Sequence, residues 1–275
     1  MVNNFFVEIE SCRIFVQQIG NKSKPAIIFI HGASISSDFW YPQLDDKNLT
    51  ENFCLYAFDL PGYGKSQKAT EPENNYSLKG LGKITVEIIN TLSLKEYIIV
   101  SLSLSGNVIG ECVEDLKGCK GIFLTGSSLL GKDFPVSSLI IVHPYLHLLT
   151  AESAKDIEVE NYATHIMLKP DEKRTNLFVY NWQNADPAFR KRIGKVLAEN
   201  DYSDEVANLK ESKIPLALVY GKEEASVKPL YLQDAGFKLW GNKIHLIENA
   251  GHLPNIDNPE EFNRLLFSFA NECFT

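Results

Sequence analysis

Five consecutive apolar residues, Ala26-Ile27-Ile28-Phe29-Ile30, are too few for a helix and show no polar alternation. A strand with one face in water alternates apolar and polar side chains, so this run belongs in a sheet covered on both faces. A mainly parallel sheet with helices above and below supplies that environment. The runs Cys54 to Phe58, Tyr97 to Ser101, Gly121 to Leu124, Leu216 to Tyr220 and Lys243 to Ile247 follow the same style. Residues 5–10 and 12–18 read as an opening antiparallel pair, and helical patterns fall near 78–92, 104–117, 228–236 and 259–272. The expected class is α/β, with a doubly wound, mainly parallel sheet.

The alternation stops between about Gly131 and Tyr202. That region opens on an apolar stretch, Val136 to Leu149, and continues as polar helical sequence in which Arg190 and Arg192 read as solvent-facing. We expect a core of residues 1–130 and 203–275, with residues 131–202 inserted as a helical lid over the sheet. Ligands of open α/β sheets bind beyond the carboxyl ends of the strands, where such a lid would sit.

Composition narrows the function. The chain has 275 residues, 44% of them hydrophobic and 23% charged, enough to bury a core without disulfide staples. The net charge of −8, with no basic stripe, speaks against nucleic acid and against an anionic membrane surface. Five cysteines, an odd number without CxxC spacing, suggest neither a disulfide framework nor a thiolate zinc site. The start carries Glu8 and Glu10 and lacks a basic region before an apolar core, so it does not read as a signal peptide. No run reaches the roughly 20 apolar residues of a membrane helix. A cytoplasmic protein is the expectation.

Ser101-Leu102-Ser103-Leu104-Ser105-Gly106 follows the strand ending YIIVS and precedes a helical pattern. A serine nucleophile on a strained strand-to-helix turn needs small residues two before, two after and three after it. Ser103 meets that test with Ser101, Ser105 and Gly106. Ser105 would place Asn107 and Val108 at the tight positions, and Ser101 would place Ile99 and Leu104 there. A serine-rich helix start would account for this segment alone. Ile30-His31-Gly32-Ala33 comes after the central strand, so the backbone N–H of Ala33, with that of Leu104, is a candidate oxyanion hole. His31, in the same turn, is a candidate for the substrate side.

Asn249-Ala250-Gly251-His252-Leu253-Pro254 also follows a strand, which places His252 on the same rim as Ser103. The acid must lie between them, and Gly221-Lys222-Glu223-Glu224 offers Glu224, three after the glycine, with Glu223 as fallback. The chain order serine, acid, histidine suits this architecture. A glutamate would hold the imidazole tautomer as an aspartate does.

These motifs, together with Asp59-Leu60-Pro61-Gly62-Tyr63-Gly64-Lys65-Ser66, run over nearly the whole chain and resemble the α/β-hydrolase superfamily. The stretches DLPGYGKS, GKEE and KLWGNKIHLIENAGHLP resemble more closely the α/β-hydrolase-type N-acyl-homoserine lactonases, which use a glutamate as acid. The resemblance implies a Ser103–His252–Glu224 triad and a tyrosine facing the nucleophile, carried onto Tyr162, for which a packed aromatic is the plain alternative. It implies hydrolysis of a small ester or lactone through an acyl-enzyme, with no cofactor and no metal. A broad carboxylesterase, an aminopeptidase or C–C hydrolase, and a non-catalytic ligand receptor on the same fold stay open. His143 and His147, four apart, have the spacing of metal ligands on a helix, but Pro144 between them and the lack of a third ligand oppose that use. Asp59 sits at the wrong strand end to serve His252. No glycine-rich phosphate loop is present.

Overall fold

The apolar run Ala26–Ile30 forms a strand, β3, in which every residue is buried. The computed structural model describes residues 2–275, and seven further strands join β3 in one sheet. They are β1 (Val2–Glu8), β2 (Arg13–Ile19), β4 (Cys54–Phe58), β5 (Tyr97–Leu102), β6 (Cys119–Thr125), β7 (Leu216–Gly221) and β8 (His245–Ile247). The order is β1-β2-β4-β3-β5-β6-β7-β8. The β1–β2 and β2–β4 pairs are antiparallel, and all the others are parallel. Registers align the carboxyl ends: Ile30 lies beside Ser101, Leu102 beside Thr125, and Thr125 beside Val219. The loops after β3, β5, β6 and β7 therefore open on one rim.

Two apolar layers cover the sheet, because successive residues of a strand point to opposite faces. Ile28, Ile30, Ile99, Ile122, Leu124 and Leu218 face one layer, and Ile27, Phe29, Ile98, Val100, Phe123 and Val219 face the other. On the first face lie α1 (Leu78–Leu92) and α2 (Leu104–Cys112). The α1 helix starts where the Ser77 hydroxyl accepts the Gly80 N–H at 3.0 Å, and it stops at Ser93 in the left-handed conformation. Between β6 and β7 come α3 (Asp156–Ile166), α4 (Glu172–Asn184), α5 (Pro187–Glu199) and α6 (Glu205–Ser212). The last helix, α7 (Pro259–Phe274), has proline in its first turn and buries Phe262, Leu265, Leu266 and Phe269 on the second face, one stripe at helical spacing.

Two expectations need correction, the helix near 228–236 and the solvent-facing arginines. Residues 228–236 are not a helix but successive turns, with Tyr231 N–H donating to Lys228 O, Gln233 to Leu230 O and Ala235 to Leu232 O. Pro229 near their start and Gly236 at φ +78° favour turns over a continuous ladder. The apolar stretch Val136 to Leu149 is mostly irregular, with one helical turn at Val136–Leu139 and a 3-10 turn at Leu146–Leu149. Arg190, expected in solvent, is 2% exposed. Its guanidinium lies 3.8 Å over the Trp182 ring and donates to the carbonyls of Ala151 at 2.7 Å and Trp182 at 3.0 Å. A planar fork with five donors can be buried among backbone carbonyls, as a polar reading of the sequence does not foresee. Arg192 is also largely covered, donating to Glu73 O at 2.6 Å and pairing with Asp201 at 3.3 Å.

Candidate active site

Ser103 stands at the turn from β5 into α2, with φ 54° and ψ −122°. A non-glycine residue there costs about 1–3 kcal/mol, which the surroundings must offset. Small neighbours allow the turn. A Cβ at Gly106 would collide with the side chain of Ser127, and one at Gly32 would lie 3.1 Å from Ser103 Cβ. The three serines of the segment have separate fates. The Ser101 side chain is fully buried. The Ser105 hydroxyl accepts the Leu102 N–H at 2.8 Å and lies 2.9 Å from the carbonyls of Ile30 and Leu102, so the turn itself occupies it. Ser103 alone reaches the rim.

There Ser103 Oγ lies 3.0 Å from His252 Nε2. On the far side of the ring, Nδ1 lies 2.9 Å from Glu224 Oε2 and 3.0 Å from Oε1. The carboxylate sets the tautomer: Nδ1 carries the proton it donates to Glu224, leaving Nε2 as acceptor for the serine hydroxyl. The Glu224 side chain is wholly covered and accepts the N–H of Ser226 at 2.8 Å. Glu223 turns elsewhere, its carboxylate accepting the Ala250 N–H at 3.0 Å. Asp59 is also spoken for, accepting the N–H groups of Ser37 and Lys65, each at 2.8 Å.

Ser103 and His252 open on a cavity of about 20 Å³, lined also by Gly32, Ala33, Ile35, Leu102, Leu149, Tyr162, Ile166, Phe178 and Leu253. The space holds about one water. Among the described residues the Ala33 N–H donates to no protein acceptor. Leu104 is the first residue of α2, where an N–H has no intrahelical partner. Tyr162 lines the cavity, with its ring stacked on His143 and edge-on to Phe178. Burial holds its hydroxyl protonated, raising its pKa well above the ordinary tyrosine value, with the nearby Glu224 adding to the shift.

His31 does not join these residues. Its ring is fully buried, accepts the Leu60 N–H at Nε2 (2.9 Å) and approaches the Gly32 carbonyl through Nδ1 (2.8 Å). Burial lowers its pKa, so it is a neutral strut between two rim loops. His143 and His147 share no helix, since Pro144 separates them and residues 146–149 form a 3-10 turn. His143 packs instead against His165 and Tyr162. Sequence reading missed Phe178 and Leu253 as cavity walls, and missed Asp257, whose carboxylate bonds the chain next to His252. Nothing in the sequence separates such residues from ordinary packing residues.

The chain matches the alpha/beta hydrolase family over residues 27–265. Carboxylesterase YbfK of Bacillus subtilis (strain 168) is 22% identical over 277 aligned positions, which cover 96% of this chain and 86% of that protein. Monoacylglycerol lipase ABHD6 of Bos taurus is 21% identical, covering 90% of this chain and 75% of the lipase. Among solved structures, the N-acyl homoserine lactonase AidH, as a glutamate-to-glycine variant complexed with N-hexanoyl homoserine, superposes with a TM-score of 0.91. The identity is 25%, with 99% of this chain and 98% of that one covered. With the family's sequence pattern spanning most of its length and that fold beneath it, the chain belongs to the alpha/beta hydrolase family.

Proposed function

We propose that the protein is a serine hydrolase of small esters or lactones, with N-acyl-homoserine lactone as first candidate. The observation that carries this reading is the unbroken line from Ser103 Oγ through His252 to Glu224, at 3.0 and 2.9 Å, beginning at a strained turn. In the proposed sequence, His252 takes the Ser103 proton as the oxygen attacks the carbonyl carbon. The Ala33 and Leu104 N–H groups stabilise the oxyanion. The tetrahedral intermediate collapses as His252 returns the proton to the leaving oxygen, which in a lactone stays tethered to the product. Water, with His252 again as base, then releases the acid. Glu224 orients the ring and stabilises the imidazolium.

The substrate class rests on the cavity walls. Ile35, Leu149, Ile166, Phe178 and Leu253 suit an apolar acyl arm, for which each buried CH₂ contributes about 0.8 kcal/mol. The Tyr162 hydroxyl gives one polar contact for a lactone or amide oxygen, the sparse kind that orients a ligand in such pockets. The likeness to AidH supports the finer reading, because serine-to-glycine and glutamate-to-glycine variants of that enzyme were solved with N-hexanoyl homoserine lactone and N-hexanoyl homoserine respectively. We further propose that residues 131–202 form the lid, over a core of residues 1–130 and 203–275. A generic carboxylesterase is the second reading, favoured by the full-length likeness to YbfK.

Two assays test the nucleophile and then separate the two substrates. A fluorophosphonate should label wild-type protein stoichiometrically, and Ser103→Ala should abolish labelling and lower ester turnover by about 10⁴-fold or more. Undiminished labelling of Ser103→Ala would overturn the assignment of the nucleophile. Ring opening of homoserine lactones with short and long acyl chains, followed by acid release, tests the substrate. Rapid p-nitrophenyl acetate turnover without lactone opening at any chain length leaves the carboxylesterase.

A further inference from the structure

Asp257 lies five residues beyond His252 and is 4% exposed. Its carboxylate accepts three backbone N–H groups from two distant segments. Oδ2 takes Gly251 at 2.8 Å and Leu168 at 3.0 Å, and Oδ1 takes Lys169 at 3.1 Å. Gly251 directly precedes His252. Leu168 and Lys169 follow α3, where the chain turns extended at Met167 with φ −96° and ψ 131°. A second bond crosses the same gap, from the His252 N–H to the Ile166 carbonyl at 2.9 Å. The fit is tight: a Cβ on Gly251 would come within 2.7 Å of the Ile166 carbonyl oxygen and 3.3 Å of Asp257 Oδ2.

We propose that Asp257 is a positioning residue for the hydrolysis, clasping the His252 loop to lid residues 166–169 so that the base keeps its place only while that end of the lid is docked. The inference rests on the serine-hydrolase reading above. The physical basis is that bonds from N–H groups to an ionised carboxylate are roughly twice as strong as neutral ones, and three of them fix the relative position of two backbones. Ile166, inside the clasp, also lines the cavity beside Ser103. One carboxylate thus sets the height of the cavity wall and the position of the imidazole together. By the same connection, residues 166–169 are the fixed point of the lid, and the movement that admits substrate belongs to its other parts.

The test compares wild type with Asp257→Asn, which keeps the size of the side chain and exchanges an acceptor for a donor. Turnover of p-nitrophenyl acetate is measured per fluorophosphonate-titrated site, so that misfolded protein does not count. The expected result is a fall in kcat between about tenfold and 10²-fold, with KM nearly unchanged, since displacement of a reacting group by about 1 Å has that effect. Amide hydrogen exchange should rise together in residues 166–169 and 251–252. Lys169→Pro, which deletes one donor from the lid side and leaves Asp257 in place, should give a smaller fall in the same direction, and it serves if Asp257→Asn does not fold. A merely structural role predicts a lower melting temperature with unchanged kcat per titrated site, and that result overturns the inference while leaving the hydrolase reading intact. Wild-type protein that takes no label overturns both.

Discussion

Glu223 and Glu224 are adjacent carboxylates with different uses. Glu224 meets the imidazole of His252, whereas Glu223 fastens the backbone at Ala250. We predict that Glu224→Ala lowers ester turnover by about 10⁴-fold, as expected for loss of the group that holds the base. Glu223→Ala should lower the melting temperature and cost less than about tenfold in rate. Equal, mild losses in both variants, read with a p-nitrophenyl ester, would place the acid elsewhere. Glu205 is buried as well, but among the described residues no imidazole faces it. It is fully buried, with one carboxylate oxygen accepting Asn107 Nδ2–H and Leu130 N–H at 2.7 Å each and the other lacking a partner. Burial raises its pKa well above the ordinary glutamate value, and neighbouring Glu111 and Asp204 add to the shift. A glutamate in the unfolded chain ionises near pH ~4.3, before the buried one. The unfolded state therefore sheds its proton first, and this residue's contribution to stability is lost as pH rises from there through the raised folded value. Glu205→Gln removes that loss. Its melting temperature relative to wild type should climb as pH rises above about 4; a constant difference would mean that Glu205 is already ionised in the fold.

At the scale of elements, the strand-to-helix turn at Ser103 depends on how closely α2 approaches the loop after β6. Gly106→Ala places a methyl against the Ser127 side chain, with Cβ to Cβ only 2.7 Å. Helix and loop must part, which costs about 1–3 kcal/mol for an overpacked core site. The variant should melt earlier, and fluorophosphonate labelling should slow by more than the folded fraction explains, because the movement displaces Ser103 as well. Labelling that tracks the folded fraction would show that the turn tolerates the shift. The strands β3 and β4 coincide with the residues read from sequence because five apolar residues in a row have no other soluble environment. The 228–236 segment escaped that reading, since its apolar spacing resembled a helix while its hydrogen bonds close separate turns.

Across the whole molecule, a cavity of about 20 Å³ is far below the roughly 300–1,000 Å³ of ligand pockets, so under the proposed function an acyl arm enters only if the proposed lid yields. Phe178 closes the cavity from α4 and is 1% exposed. We predict that Phe178→Ala raises the ratio of kcat/KM for p-nitrophenyl octanoate over acetate by about tenfold or more, the discrimination that one or a few methylenes make in an apolar pocket. An unchanged ratio would put the acyl arm on another side of Ser103. Among the described residues no helix is long and apolar enough to cross a membrane.

What the sequence determined by itself was local. Apolar runs specify buried strands, the small residues around Ser103 specify a tight turn, and the order of serine, glutamate and histidine along the chain follows from which strand each one ends. What the tertiary structure decided depends on direction and partnership. Arg190 went inside because the carbonyl of Ala151, 39 residues away in the chain, converges on it together with that of Trp182 from the preceding helix. His31 turned from the cavity because Leu60 and Gly32 occupy both its nitrogens. Asp257 joined Gly251 to Leu168 across more than eighty residues of sequence. A side chain's partners lie wherever the fold brings a complementary group within about 3 Å, and no spacing along the chain encodes that distance.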